Sequence, residues 1–380
     1  MNQPETLTIV PEANNLYRIT AAEADHGQGS QADLTVAQLK ALLEENEQAI
    51  LNIEFMQGTY QLPAVWLADL PKDAVIRFTV RKVDQGVADS IRGALRPTGA
   101  KLIGTPVDFV FQVLTSDGEV TTIEHFDEFI TRSLNVQPSD TGHGTISVMM
   151  YHPQTASLLP VPSQEQESNG KRIVVFKQKS NSVYAIVQNQ HTFSDISNHW
   201  AKTEIEELAS RMLVTGKTNL TYVPDEPVSR AEFSQLLIRT LGIVPDTDHV
   251  HHFSDIHPDD WYALAVNTAY RNELITGYDD GTFHPGDPIT REELASMMIR
   301  ALDFAGKSIP QASDISLSRW KDHEQISIWA RTSVEGLVRE GLLRGTSTMS
   351  LYPKSPVTRA EAAVMLHRML QSLLSKSYSE

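Results

Sequence analysis

Three arginines occupy the first residue of a predicted helix, a position that disfavours a cation. Each follows a Ser or Thr that has a Glu three residues further on, and this capping box predicts that a helix begins at the arginine. The unpaired N–H groups and positive field of a helix N-terminus attract an anion. A guanidinium there could add two parallel hydrogen bonds to a carboxylate. The residues that predict an acidic ligand are Arg230, Arg291 and Arg359.

A structural explanation of the same arginines is an ion pair with aspartates that recur upstream. One aspartate stands near the start of each segment, so each arginine could clamp its own segment together. The two explanations are compatible, because an aspartate could orient a guanidinium that also binds a ligand. The aspartates are Asp195, Asp255 and Asp322.

The arginines belong to a pattern of residue types that occurs three times. Counting from a tryptophan, a glycine follows 16 residues later, a proline 8 after that and an arginine 6 later still, with identical spacing in each copy. Such spacing is the signature of repeated structural units. The tryptophans are Trp200, Trp261 and Trp329, and the glycines are Gly216, Gly277 and Gly345.

The tryptophans and glycines each have a structural and a ligand-binding interpretation. An indole stacks on a sugar ring and its N–H binds a hydroxyl, but a tryptophan that opens a helix is more often a core anchor. Spacing alone favours the core position. The glycines are predicted to end the first helix of each repeat as left-handed C-caps, and they would let a sugar approach the backbone.

Each repeat needs two helices to position these residues. Apolar residues recur at helical spacing after each tryptophan, and a second apolar helix follows each arginine. One pair this short cannot bury its apolar face alone, so three pairs should pack as a pseudo-threefold α-helical bundle. The apolar positions of the first helices are Ile205, Leu208, Leu213, Val266, Ala269, Leu274, Val334, Leu337 and Leu342.

The N-terminal half has the sequence pattern of strands rather than helices, which predicts a multidomain α+β protein. Residues 1–190 contain short β-branched runs between turn signals and predict a β-rich, sandwich-like module of six to eight strands with two helical patches. The Pro-, Ser-, Gln- and Glu-rich stretch 160–170 is predicted to be an exposed loop. Neither a G-x-S-x-G nor an H-E-x-x-H motif is present, so no catalytic residue is assigned.

Composition excludes several function classes. The 380-residue chain has a net charge of −16, and the halves on either side of His191 carry −8 each, which argues against nucleic acid or an anionic membrane as the main partner. It has no cysteine, so disulfides and thiolate chemistry are excluded but the compartment stays undecided. No apolar run is long enough to span a membrane. The N-terminus lacks the features of a signal peptide, so either the protein is not exported by that route or the chain is part of a longer one.

The repeats resemble the S-layer homology family, the cell-wall anchoring module of Gram-positive and related bacteria. The resemblance rests on F-x-D before the tryptophan, the glycine-turn loop and T-R-A-E at the second helix. It implies a pseudo-trimer whose grooves bind a secondary cell-wall polysaccharide, often with a pyruvate ketal on an amino sugar, without covalent chemistry. No cofactor or metal is expected. The arginines, aspartates, tryptophans and glycines named above are then the binding residues.

The resemblance also implies a domain organisation and an extracellular location at the cell wall or S-layer. A β-rich surface or spacer module is expected over 1–190, and the repeats over 191–245, 246–306 and 307–380, named here repeats 1, 2 and 3. The β-rich module could also support self-assembly into a lattice. The alternative is that the chain is the C-terminal anchoring tail of a secreted glycoside hydrolase or other surface enzyme with its catalytic domain upstream.

The repeats depart from one another in ways that bear on binding. Repeat 2 has Glu292 where the others have Ala, which should place a negative charge beside the carboxylate site, and repeat 3 has Trp320 in place of Phe. The three grooves therefore need not bind equally. Another recurring set, for which a solvated or inter-repeat structural role is expected, is Arg239, Arg300 and Arg368. Metal binding by a cluster of His249, His251 and His252 is not expected, because no carboxylate stands at a defined spacing.

Overall fold

The computed structural model describes residues 8–23, 29–137, 142–168, 170–245, 252–309 and 317–375. Their contacts divide the chain into two compact units with a boundary between Asn189 and Gln190. The first is a β-rich unit and the second a helical unit. No helix in the described part of the chain combines the length and the hydropathy that a bilayer span requires.

The β-rich unit contains fifteen strands and two helices among its described residues. The strands are β1 (Ile9–Pro11), β2 (Leu16–Thr20), β3 (Ala22–Glu23), β4 (Gly29–Thr35), β5 (Ile50–Phe55), β6 (Gly58–Pro63), β7 (Val75–Lys82), β8 (Lys101–Leu114), β9 (Val120–Thr122), β10 (His125–Asn135), β11 (Thr145–His152), β12 (Ser157–Pro160), β13 (Ser163–Ser168), β14 (Lys171–Ser180) and β15 (Val183–Asn189). The helices are α1 (Val36–Glu45) and α2 (Gln85–Leu95).

The strands form two sheets that pack against each other. One has the order β1-β2-β5-β6-β10-β14-β13 and the other β12-β11-β15-β8-β7-β4-β3, with β9 paired to β8. Neighbours are antiparallel except β2 and β5. Aromatic side chains join the sheets: Phe78 lies 5.2 Å from Tyr60 and Phe109 lies 6.0 Å from Phe176, between ring centroids. The prediction of a β-rich N-terminal half is confirmed, although its strand count was too low.

One strand lies where the sequence predicts a loop, so that prediction was wrong. Strand β13 pairs with β14 from Ser163 opposite Phe176 to Ser168 opposite Lys171. It is the last strand of its sheet, and an edge strand can carry polar residues because part of its surface faces water. The Gln and Glu residues that suggested a loop are therefore compatible with strand.

The helical unit contains two α-helices per repeat. They are α3 (Lys202–Ser210), α4 (Arg230–Leu241), α5 (Ala263–Arg271), α6 (Arg291–Phe304), α7 (Arg331–Arg339) and α8 (Arg359–Leu374). The second helix of each repeat begins at the predicted arginine. The capping boxes are confirmed: Ser229 and Thr290 each exchange hydrogen bonds with the glutamate three residues on, and Thr358 does so with Glu361. All nine predicted apolar positions of the first helices are at most 3% exposed.

Extended backbone just before the second helices joins the three repeats in a ring. Val228 donates its N–H to Val357 O at 2.9 Å, Val357 donates to Ile289 O at 2.9 Å, and Ile289 donates to Val228 O at 3.0 Å. All three side chains are fully buried. The unit is thus not purely helical, because a closed ring of non-helical hydrogen bonds lies among its three repeats.

Candidate functional site

Each helix-start arginine reaches out of its own repeat into the next one. Arg230 donates from Nε to Phe283 O at 2.8 Å and from Nη1 to Glu293 Oε1 at 3.0 Å. Its guanidinium also lies 4.9 Å from the ring centroid of Tyr278, a cation–π contact. Arg230 is therefore buried between repeats 1 and 2.

Arg291 makes the equivalent contacts between repeats 2 and 3. It donates from Nε to Leu351 O at 2.7 Å, from Nη2 to Arg344 O at 2.9 Å and from Nη1 to Glu361 Oε1 at 3.1 Å. A guanidinium carries five N–H donors. These three bonds leave two N–H groups of Arg291 without a partner among the residues that the structure describes.

Arg359 connects repeat 3 back to repeat 1. It donates to Tyr222 O at 2.9 Å and to Thr215 O at 2.7 Å, and its Nη1 lies 3.6 Å from Glu232 Oε1. The three arginines thus link repeat 1 to 2, 2 to 3 and 3 to 1. Breaking one partner of a buried charge pair leaves the other uncompensated, so each arginine holds neighbouring repeats together whatever else it binds.

The carboxylates that meet the arginines are the capping-box glutamates of the neighbouring repeat. In Glu293, Oε2 accepts from the Thr290 N–H at 2.8 Å while Oε1 accepts from Arg230. In Glu361, Oε2 accepts from the Thr358 N–H at 3.0 Å while Oε1 accepts from Arg291. One oxygen therefore caps the glutamate's own helix, and the other binds the arginine of a different repeat.

The alternative in which the arginines pair with the upstream aspartates is wrong. Both oxygens of Asp195 accept backbone N–H groups of its own repeat, from Tyr222 at 2.9 Å and Val223 at 2.7 Å. Burial alone would raise the pKa of Asp195, but these amides lower it below its usual range. Asp255 and Asp322 bind the equivalent amides of repeats 2 and 3.

The aspartates fix a loop whose backbone is strained at one position. Val223, His284 and Tyr352 have φ angles of 57°, 57° and 52°, a left-handed conformation that is rare for a non-glycine residue. Each donates its N–H to the aspartate of its repeat at 2.7–2.8 Å. Each aspartate therefore binds the loop of its own repeat and not the arginine.

The tryptophans lie on the surface, so the core position that spacing favoured is wrong. Trp200, Trp261 and Trp329 are 63%, 60% and 59% exposed. Each precedes the first helix of its repeat by two residues and leaves an indole face open to solvent. An exposed aromatic at the same place in three repeats is available for stacking on a ligand.

The glycines have a packing role, and the prediction that they are left-handed C-caps is wrong. The left-handed residue after each first helix lies four positions earlier, at Met212, Glu273 and Gly341. At Gly216, a Cβ atom would collide with the carbonyl oxygens of Thr218 and Thr221 and with the Phe193 ring. Gly277 and Gly345 are packed in the same way against Phe253 and Trp320.

A groove of about 530 Å³ brings predicted residues from all three repeats together. It contains Trp200 of repeat 1, Arg291 of repeat 2 and Gly345 of repeat 3, and this open space is called the repeat-3 groove below. Its remaining lining is Arg344, Thr346, Tyr352, Ser355, Pro356, Thr358, Glu361, Val364, Met365 and Arg368. Arg291, with two N–H groups unpartnered among the described residues, thus lines the same open space as an exposed indole and a glycine, a combination that can bind a carboxylate and a sugar face.

Two arginines of this groove were not predicted to bind ligand. Arg368 was assigned a structural role because it lies beyond the first turn of its helix, yet it lines the groove. Arg344 directly precedes Gly345, where repeats 1 and 2 have Thr215 and Thr276. A charged residue directly before a repeated glycine, where the other two repeats have Thr, is the signal that could have identified it.

The expectation that Glu292 places a negative charge beside the carboxylate site is wrong. Glu292 is 2% exposed and accepts hydrogen bonds from Ser327 N at 3.0 Å and Ser327 Oγ at 2.9 Å. Lys354 Nζ lies 2.6 Å away and compensates its charge. Its position on α6 faces the start of repeat 3, so Glu292 joins two repeats.

No cluster of potential metal ligands occurs among the residues that the structure describes. His249 and His251, two members of the histidine cluster that was set aside, lie outside those residues. Asp280 in the loop before α6 accepts hydrogen bonds from the N–H and hydroxyl of Thr282, which is an ordinary turn contact.

A histidine–carboxylate contact between repeats 1 and 3 makes the stability of the helical unit depend on pH. Glu207 Oε2 lies 2.8 Å from His367 Nε2, and Glu207 Oε1 lies 3.0 Å from Arg211 Nη2. The hydrogen bond from His367 is the main reason that the pKa of Glu207 falls to about 2, against burial and with help from Arg211. A carboxyl group with a lowered pKa in the folded state stabilises that state above its unfolded pKa and loses this contribution as the pH falls.

We therefore expect the free energy of unfolding to drop as the pH falls from about 4.5 to about 2. In Glu207→Gln the free energy of unfolding should fall by about 1 kcal/mol less over this pH range. This figure takes account of solvent screening, because the pair is partly exposed. Urea unfolding followed by far-UV circular dichroism across this pH range measures the slope. Glu324→Gln, at an exposed carboxylate of the same unit, is the control, and equal slopes for both variants would contradict the expectation.

Comparison with known proteins identifies the repeats. The S-layer homology domain matches residues 192–234, 252–295 and 321–363. An amylopullulanase of Thermoanaerobacterium thermosulfurigenes is 32% identical over 304 residues, which are 80% of this chain and 16% of that protein. The exoglucanase XynX of Acetivibrio thermocellus is 36% identical over 186 residues, 49% of this chain and 17% of that protein.

A cellulosome-anchoring protein of Acetivibrio thermocellus is also similar, with 30% identity over 153 residues, 40% of this chain and 33% of that protein. The chain thus spans at most a third of the length of these relatives. The helical unit of this chain accordingly belongs to the S-layer homology family, with one domain in each of its three repeats.

Proposed function

We propose that this chain anchors a protein to the bacterial cell wall by binding a secondary cell-wall polysaccharide in grooves between its repeats. The observation that carries the proposal is the repeat-3 groove, where Trp200, Arg291 and Gly345 line one open space. A groove rimmed by an exposed indole and a guanidinium suits a sugar with an acidic substituent.

The chemistry favours a pyruvyl ketal on an amino sugar as the acidic group. Its carboxylate can accept hydrogen bonds from the two N–H groups of Arg291 that have no partner among the described residues. The sugar ring can stack on Trp200. Gly345 itself lines the groove, so its backbone can lie close to the sugar. Asp322 acts indirectly in this proposal, by holding the loop through Leu351 and Tyr352.

We further infer a pseudo-threefold bundle with three equivalent grooves. The ring of hydrogen bonds through Val228, Ile289 and Val357 supports this, as do the arginine contacts that run from each repeat to the next. By this equivalence Arg359, Gly216 and Trp261 would line a second groove. Arg230, Gly277 and Trp329 would line a third.

An anchoring role implies an extracellular location at the cell wall or S-layer. The β-rich unit would then act as a spacer or a presenting module, and it could support self-assembly. The second candidate is that the chain is the anchoring tail of a secreted glycoside hydrolase. The alignment to the amylopullulanase favours it, because 304 residues exceed the length of the helical unit and must extend into the β-rich unit.

The exposed tryptophans allow binding to be tested without disturbing the fold. We expect the triple variant Trp200→Ala, Trp261→Ala, Trp329→Ala to bind purified wall polysaccharide about tenfold more weakly or worse, because stacking is lost in every groove. Its free energy of unfolding should change by less than about 0.5 kcal/mol per site, as for other surface substitutions. Sedimentation with purified wall polysaccharide measures the binding.

The matched control is Trp66→Ala, the same substitution at an exposed tryptophan of the β-rich unit. This variant should bind like the wild-type protein. If the triple variant also bound like the wild type, the grooves would not be the glycan site and the proposed function would lose its support.

A further inference from the structure

We propose that the repeat-3 groove is the principal anion-binding groove of this chain, with Arg344 and Arg368 adding two guanidinium groups to that of Arg291. The inference rests on the proposed function and specifies which groove takes the acidic glycan most tightly. Arg368 recurs as Arg239 and Arg300, but Arg344 has no counterpart in the other repeats. The difference between the grooves is therefore a property of this chain rather than of the shared spacing.

Arg344 and Arg368 have charges that no carboxylate in the groove compensates. Arg344 is exposed, and its one side-chain hydrogen bond among the described residues runs from Nε to Gly341 O at 3.3 Å. Arg368 is half-buried and donates from Nη1 to Leu342 O at 3.3 Å. The lining carboxylate, Glu361, is already bonded to Arg291.

Arg368 lies close enough to Arg344 and Arg291 for both positive charges to act on it. Burial lowers the pKa of Arg368 first, and the charges of Arg344 and Arg291 lower it further, with Glu204 of repeat 1 opposing them. Like charges gathered without a matching number of carboxylates cost free energy. An anionic ligand would relieve this repulsion between guanidinium groups. That relief would contribute to the free energy of binding.

Two sequence positions distinguish this groove from its equivalents. Where repeat 3 has Arg344, repeats 1 and 2 have Thr215 and Thr276. Where repeat 3 has Ser355, the others have Glu226 and Asp287. One difference adds a positive charge and the other removes a negative charge, so both make the repeat-3 groove more attractive to an anion.

The cation that repeat 1 has in its glycine loop is neutralised within the protein. Lys217 Nζ lies 2.9 Å from Glu232 Oε1 and 3.3 Å from Glu226 Oε1. In repeat 2 the equivalent residue is Tyr278, whose hydroxyl donates to Glu293 at 2.9 Å. Neither loop offers an anion the uncompensated guanidinium that Arg344 provides.

The test uses the full chain and a defined probe, an N-acetylhexosamine that carries a pyruvyl ketal. The methyl ester of the same compound is the uncharged comparison. Isothermal titration calorimetry should show that Arg344→Thr, which installs the residue of the other two repeats, weakens binding of the acid about tenfold. Arg92→Thr, the same charge change at an exposed residue of α2, should leave binding unchanged. Thr276→Arg should strengthen binding, because it adds to the groove of repeat 2 the guanidinium that repeat 3 has at the equivalent position.

The outcomes separate this inference from the proposed function. If the wild-type chain binds the acid and its ester equally, the acidic glycan is the wrong ligand and both proposals fail. If the wild type prefers the acid but Arg344→Thr binds it as tightly, with unchanged circular dichroism, only the assignment to the repeat-3 groove is overturned. A tenfold loss in Arg344→Thr together with a gain in Thr276→Arg supports it.

Discussion

Replacing Gly216 with Ala should lower the free energy of unfolding of the helical unit by about 3 kcal/mol, at the upper end of the range for overpacked cores. The new Cβ would collide with the carbonyl oxygens of Thr218 and Thr221 and with the ring of Phe193. The oxygens belong to the backbone of a tight loop, which Asp195 also holds through Tyr222 and Val223. Because neither the loop nor the buried ring can move freely, relaxation offsets little of the cost.

Gly286→Ala is the matched control for this prediction. No atom lies within 4 Å of the Cβ that it would add, and Gly286 is not among the residues with positive φ. Its stability should therefore stay unchanged or rise slightly, since alanine restricts the unfolded chain. Urea unfolding of both variants gives the comparison, and equal midpoints would show that the glycine spacing has another cause.

Local signals in the sequence predict the starts of the helices well. The capping boxes are determined by residues three apart, and Ser229, Thr290 and Thr358 all begin a helix as predicted. The apolar spacing of the first helices likewise predicts which side chains are buried. Helix starts and buried helix positions depend on residues close together in the chain, so a short segment of sequence is enough to predict them.

The contacts between repeats could not be predicted in the same way. Spacing within a repeat suggested that Arg230 pairs with Asp195, whereas its carboxylate partner is Glu293, 63 residues further along the chain. The glutamates were recognised as helix caps, but a cap uses only one carboxylate oxygen. The second oxygen was free to bind another repeat, and the sequence does not say which one.

The tryptophans and glycines show why a repeated residue does not reveal its own role. Trp200 has the type and position of a core residue, but it lies on the surface, and the buried aromatic that packs against Gly216 is Phe193. Gly216 follows a helix as a C-cap would, but Met212 takes the left-handed conformation instead. Packing against Phe193 requires the glycine, and that constraint is visible only in three dimensions.

The arginines are poor sites for a mutational test of binding, because each also holds two repeats together. Replacing Arg291 would break its bonds to Leu351 and Glu361, so loss of binding could follow from loss of structure. A test of the central claim should therefore change the ligand and leave the protein intact.

That measurement compares binding of the unmodified chain to wall polysaccharide before and after its pyruvyl groups are removed. If the repeats bind the carboxylate through guanidinium groups, removal should weaken binding about tenfold or more, the value of one charged hydrogen bond of about 1.5 kcal/mol, and more if several grooves bind one chain. Intact polysaccharide that has been taken through the same treatment without the cleaving reagent is the control. Equal binding of the two polysaccharides would contradict the account.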